Sequence, residues 1–208
     1  MTKHIVWDWN GTLFHDIDAV VGATNEIFQS YELPHLTVDA FRAVYTRPIW
    51  QIYERMLGRP LAEGEWEKLD DGFHDSYYRL MAACTLAADA GQVLDSWSGT
   101  QSLCSMAPHG QLLPVVSRFG IERHFARVDG LVGETGGAKA EHLAAHVARL
   151  GVDPASVLVI GDSADDGLAA RHIGAKAVLY TGGMTSRKSL EQIGLPVVDT
   201  LIEALKYA

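Results

Sequence analysis

Apolar and polar positions follow two different rhythms along this chain. Short apolar runs recur at His4–Trp7, Ser102–Cys104, Arg127–Leu131, Val157–Ile160 and Ala177–Tyr180, with helix-spaced stretches between them. "AEHLAAHVARL" before Gly151 and "ADDGLAARHI" before Gly174 are two such stretches, each followed by the glycine that commonly closes a helix. Strand–helix alternation of this kind predicts a parallel sheet covered on both faces. From about His15 to Leu86 the rhythm is helical throughout. Ile17, Val20, Val21, Ile27, Phe28 and Tyr31 share one 3.6-residue face. Thr37 predicts the cap of a helix over "VDAFRAVY", and Pro48 the first turn of another over "PIWQIYERML". "EGEWEKLDDGFHDSYYRLMAACTL" continues the helical pattern. The expectation is an α/β core with a doubly wound parallel sheet, built from residues 1–14 and 87–208 and interrupted by a helical insert over residues 15–86.

Composition narrows the classes. With 208 residues, 48% of them hydrophobic, the chain can bury a sizeable core and a smaller insert. A net charge of −9 leaves no electrostatic footprint for nucleic acid. It also means that an anionic ligand must be met by local cations, helix N-termini or a metal. No apolar run reaches the length of a membrane-crossing helix. The N-terminus runs straight into a strand-like segment without a signal peptide's apolar stretch. Cys84 and Cys104 sit among apolar or small residues, as buried thiols do. A cytoplasmic protein, monomeric or homodimeric, is the expectation.

Three of the apolar runs stop at polar residues of chemical interest: "IVWD" at Asp8, "SLCS" at Ser105 and "VLVIGD" at Asp162. In open parallel sheets ligands bind beyond the carboxyl ends of the strands, so these residues are predicted neighbours. "GDSADD" places Asp166 four residues after Asp162 at a helix start, where one carboxylate can reach a metal and the other a water ligand or a cation. Converging carboxylates need a counter-charge, and hard oxygen ligands suit Mg²⁺. Lys139, in "GGAKAEHL", can supply a second cation.

In order, spacing and strand-end placement, these motifs resemble the haloacid dehalogenase superfamily, in its phosphoglycolate-phosphatase-like branch with a helical cap. The resemblance covers essentially the whole chain and implies a Rossmann-like core, with the insert as a cap. It further implies Mg²⁺-dependent hydrolysis of a small phosphorylated metabolite. In that scheme Asp8 is the nucleophile that becomes an aspartyl-phosphate, Ser105 and Lys139 hold the phosphoryl group, and Asp8, Asn10, Asp162 and Asp166 surround the metal. The backbone of Trp9, Gly11 and Thr12, together with Met106 and Arg47, is implied to meet the substrate.

Asn10 departs from the family pattern, which has aspartate there. Its backbone carbonyl can still face a metal, but an amide cannot exchange protons as an acid. Three possibilities stay open. The leaving group can be one that needs little protonation; His15, Asp16 or His109 can substitute; or the protein binds phosphorylated ligands without turning them over. A haloacid dehalogenase would not need the fourth-motif acids, and their retention argues against it. A phosphate-loop nucleotidase is rejected because Ala138 and Ala140 flank Lys139 where Gly and Ser/Thr are required. "HLAAH" has a zinc-compatible spacing in His142 and His146 but reads as a polar helix face. Trp50 and Tyr53 read as packing within the insert.

Overall fold

Residues 2–133 and 139–208 are described by a computed structural model; Ala138, on which the phosphate-loop reading was rejected, lies outside them. In chain order the strands are β1 (His4–Trp7), β2 (Phe14–His15), β3 (Thr85–Leu86), β4 (Thr100–Pro108), β5 (Val128–Leu131), β6 (Val157–Gly161), β7 (Lys176–Tyr180) and β8 (Val197–Val198). The helices are α1 (Ile17–Ser30), α2 (Val38–Val44), α3 (Trp50–Leu57), α4 (Glu65–Leu80), α5 (Ala90–Ser96), α6 (His109–Arg118), α7 (Lys139–Leu150), α8 (Ala164–Ile173), α9 (Arg187–Glu191) and α10 (Leu201–Ala204).

Six strands form one parallel sheet in the order β5-β4-β1-β6-β7-β8. The fold is α/β, as the alternation predicts. β1 and β6 are buried along their whole length, which explains the apolar runs Ile5–Trp7 and Val157–Ile160. From β1 the chain builds β4 and β5 on one side, then returns to place β6 on the other. The strand order therefore reverses at β1, and the carboxyl ends of β4, β1 and β6 flank that switch point. Ser105 does not end its strand. β4 runs on to Pro108, and its register against β5 shifts between Cys104 and Pro108, so Ser105 lies inside an irregular stretch of strand.

The chain divides into two compact units: Met1–His15, Leu86–Gly183 and Arg187–Ala208 form one, and Asp16–Thr85 with Met184–Ser186 the other. In the helical unit Ile17, Val21 and Phe28 of α1 pack with Phe41, Tyr53, Leu69 and Met184. Thr37 caps α2 by accepting the Ala40 N–H at 3.1 Å. Pro48 follows a cis peptide and precedes α3, which begins at Trp50, rather than opening it.

A polar chain crosses the buried core of the sheet unit. Thr100 Oγ1 lies 2.7 Å from His4 Nδ1, and His4 Nε2 lies 2.8 Å from Ser102 Oγ. Ser102 Oγ is also 2.8 Å from His146 Nε2, whose Nδ1 is 2.8 Å from Asp129. Burial, reinforced by His146, pushes His4 from 6.5 down to about 4. Between those values the unfolded chain binds a proton that the folded chain does not, so stability falls as pH drops through that window. The loss is on the order of 3 kcal/mol once pH reaches the folded value. Urea midpoints measured from pH 7 to pH 4 should decline in the wild type, and His4→Gln should show a shallower slope.

Candidate active site

Strand pairing sets the frame. Trp7 pairs with Leu103 and with Ile160, so Asp8 is level with Cys104 and Gly161. Ser105 and Asp162 each stand one residue beyond, on opposite sides. The Asp8 N–H extends the ladder by donating to Ile160 O at 2.9 Å. The chain then turns back on itself: Thr12 N–H and Phe14 N–H both donate to Trp9 O, and Gly11 N–H donates to Phe14 O. Gly11 takes φ +73°, a conformation that favours glycine.

Lys139, the first residue of α7, pairs its Nζ with Asp8 Oδ1 and with Asp166 Oδ1. Burial pulls the lysine down, but Asp166 and then Asp8 outweigh it and hold the ammonium above its ordinary range. Asp8 is pushed up to about 6 by burial; Lys139 opposes that shift and Asp166 adds to it. The other oxygen of Asp166 accepts the Ser163 N–H at 3.0 Å and the Ser163 hydroxyl at 2.6 Å, which locks the carboxylate across the first turn of α8. Thr12 is fully buried, with its hydroxyl 3.5 Å from Asp8 Oδ2 and 3.4 Å from Asp162 Oδ1.

Asp8, Asp162 and Asp166 each bring a carboxylate oxygen within 4.8 Å of the others. Glycines leave room for them. A Cβ on Gly11 would lie 2.6 Å from Asp162 Oδ2, one on Gly183 2.1 Å from the same oxygen, and one on Gly161 2.2 Å from Asp166 Cγ. Three buried carboxylates against one ammonium leave a deficit of positive charge, and hard oxygen donors in a glycine-lined cradle fit a divalent cation such as Mg²⁺. Asp162 must move to admit a methyl group at Gly183, so Gly183→Ala should weaken the hold of the three acids on any divalent cation they bind, at least tenfold in a calorimetric titration with Mg²⁺.

The structure redistributes the other candidates. Trp9 is 2% exposed, with its ring stacked on Phe14 at 5.2 Å; only its backbone N–H serves the site, by hydrogen-bonding the Asp8 carboxylate. Gly11 N–H donates to Phe14 O, and the absence of a side chain at Gly11 leaves clearance for Asp162. Ser105 is buried, and its Oγ accepts the Ala107 N–H at 3.1 Å. Asn10 and Met106 are partly exposed, and Arg47 belongs to the helical unit. Asp16 is buried and accepts the Tyr77 hydroxyl at 2.6 Å, while His15 is exposed. His109 Nδ1 accepts the Gly130 N–H at 3.1 Å, which in a neutral ring leaves the proton on Nε2. His142 and His146 do not form a polar outer face. His146 is fully buried, both of its nitrogens have partners, and neither residue belongs to a metal-competent cluster among the described residues. Sequence reading missed Gly183 and Ser163. The Gly182–Gly183 pair one residue after the apolar run Ala177–Tyr180 was the available signal for the first, and Ser163 three residues before Asp166 for the second.

A family model described as haloacid dehalogenase-like hydrolase matches residues 2–174. The chain is 28% identical over 204 residues to a phosphoglycolate phosphatase of Caulobacter vibrioides, covering 93% of this chain and 85% of that protein. Among solved structures it is similar to a haloacid dehalogenase-like family protein of Streptococcus pneumoniae, with TM-score 0.84, 18% identity, and coverage of 99% of this chain and 98% of that one. A predicted phosphoglycolate phosphatase of Haemophilus somnus gives TM-score 0.78 at 20% identity, covering 99% and 97%.

Proposed function

The chain belongs to the haloacid dehalogenase-like hydrolases, and from that premise we propose a Mg²⁺-dependent phosphatase that acts on a small phosphorylated metabolite through an aspartyl-phosphate on Asp8. One observation carries the reading: the Asp8 carboxylate is held by a buried lysine beside two further acids, at the carboxyl edge of the central strand. A carboxylate so fixed is a nucleophile, and the lysine beside it is a counter-charge for a phosphoryl group. The similarity to a phosphoglycolate phosphatase supports phosphate esters as the substrate class.

Asp8, Asp162 and the Asn10 carbonyl would hold the cation, with Asp166 bracing Lys139 alongside. When bound there, Mg²⁺ would supply charge neutralisation at the phosphoryl oxygens. An Asp8 oxygen attacks phosphorus, and the bond to the leaving oxygen breaks with its electron pair staying on that oxygen. Lys139 and the Ser105 hydroxyl stabilise the transferring group. Water then attacks the same phosphorus, the Asp8 oxygen departs with its electrons, and the water's proton passes to the phosphate released. Asn10 supplies no proton to the leaving oxygen, so the scheme favours leaving groups that depart as stable anions. Phosphate release from a metabolite panel, with and without Mg²⁺, tests the assignment. Turnover of several esters only with Mg²⁺ supports it, and no release from any of them defeats it. Asn10 also favours a second reading, binding without turnover; a protein that binds phosphorylated metabolites, is inert towards every ester and forms no beryllofluoride adduct on Asp8 would select that one.

A further inference from the structure

Helix α7 presents Lys139, His142 and His146 at spacings of three and four residues, on the same side as the buried Leu143 and Val147. Leu143 and Val147 pack with Val6, Cys104, Val157 and Val159. Such contacts are not directional, so by themselves they let a helix slide along the sheet by a fraction of its ~1.5 Å rise per residue. Lys139, at the end of this helix, has to meet two carboxylates at once and tolerates no such slide.

His146 supplies the missing direction. Its Nδ1 is 2.8 Å from Asp129 on β5, and its Nε2 is 2.8 Å from Ser102 on β4. Asp129 is itself held by Arg127 at 2.5 Å and faces Arg149 of α7 at 3.6 Å. Ser102 continues to His4 on β1, the strand that ends at Asp8. A carboxylate only accepts, so Nδ1–H of His146 donates to Asp129. In the neutral ring Nε2 then accepts the Ser102 hydroxyl. Ser102 Oγ in turn accepts His4 Nε2–H, and His4 Nδ1 accepts the Thr100 hydroxyl. With neutral rings each proton from His146 to His4 has one place, the Thr100 hydroxyl also lying 3.4 Å from Lys3 O, and burial lowers both histidines, which favours the neutral form.

We propose that His146, fixed by Ser102 and Asp129, is a positioning residue that sets the axial register of α7 on the sheet, so that the Lys139 ammonium falls between Asp8 and Asp166. The helix that bears the lysine and the strand that bears the nucleophile are tied through a buried hydrogen-bond relay remote from the reacting atoms. The link between this register and turnover rests on the phosphatase reading; the register itself does not.

The test reads Lys139 directly. At pH 7 a nitrogen-15 edited spectrum should show a slowly exchanging Lys139 ammonium signal, assigned by its loss in Lys139→Arg. In His146→Leu, and in the milder Ser102→Ala, that signal should broaden or vanish, while the backbone amide spectrum keeps the dispersion of a folded protein. Turnover of p-nitrophenyl phosphate should fall in kcat by about 10- to 100-fold, with KM little changed, as expected for a misplaced group. On a Lys139→Ala background the Ser102→Ala loss should disappear, which a merely structural defect would not do. A Lys139 signal that is absent from the wild type, or unaltered in both folded variants, overturns the proposal. A signal that responds in a protein without turnover upholds the positioning and rejects the phosphatase reading instead.

Discussion

Asp8→Asn is expected to abolish phosphate release, by at least about 10⁴-fold, because it removes the atom that forms the covalent bond while keeping side-chain size and shape. Asparagine can still accept hydrogen bonds at Oδ1, so Trp9 N–H and Lys139 keep an acceptor. The variant also takes one negative charge out of a cluster of three, where Asp166 already opposes ionisation of Asp8. The substitution should therefore leave thermal stability equal to or above that of the wild type. Phosphate assays and a melting curve on the same preparation check both halves of this expectation. Lost activity with retained folding identifies Asp8 as the reacting group, whereas substantial residual turnover would move the chemistry elsewhere.

Asn10→Asp is expected to act in the opposite direction. A carboxyl group at that position can give a proton to the leaving oxygen and take one from the attacking water, and general acid–base help of this kind is worth about 10²–10⁴-fold. The gain should appear with alkyl phosphates, whose leaving alkoxides are strongly basic. It should be small with acetyl phosphate or p-nitrophenyl phosphate, whose leaving groups are stable anions. Comparing kcat ratios across that series separates a missing proton donor from a general defect. An equal gain on every substrate would contradict the role assigned here to the amide.

Much of the architecture was legible in the sequence because the determinants are local. β1, β6 and β7 carry the apolar runs Ile5–Trp7, Val157–Ile160 and Ala177–Tyr180, and Gly174 closes its helix in the left-handed conformation that glycine favours. Asp8 and Asp162 were readable because each follows a buried run directly. What escaped depended on distant partners. His142 and His146 have a spacing that suits a polar outer face equally well, and only the placement of Asp129 and Ser102 under α7 makes His146 a core residue. Ser105 looked like the end of a strand because Met106–Ala107–Pro108 carries no pattern that separates an irregular strand from a loop. Gly183 clears space for a carboxylate about twenty residues away in sequence, and Met184–Ser186 joins the helical unit; neither relation leaves a periodic trace. For Trp9 and Thr12 the resemblance implies backbone contacts only, and nothing in the local sequence shows that the turn sends the Trp9 ring into the core and the Thr12 hydroxyl between two carboxylates.

In the proposed reaction phosphorus becomes bonded to Asp8. Rapid acid quenching during turnover of p-nitrophenyl phosphate, borohydride reduction and peptide mass spectrometry test it most directly, since an acyl phosphate is reduced to an alcohol and a free carboxylate is not. Asp8 should be converted to homoserine, in a reaction dependent on substrate and Mg²⁺ and absent from Asp8→Asn. Continued phosphate release with Asp8 unmodified at every time point would contradict it.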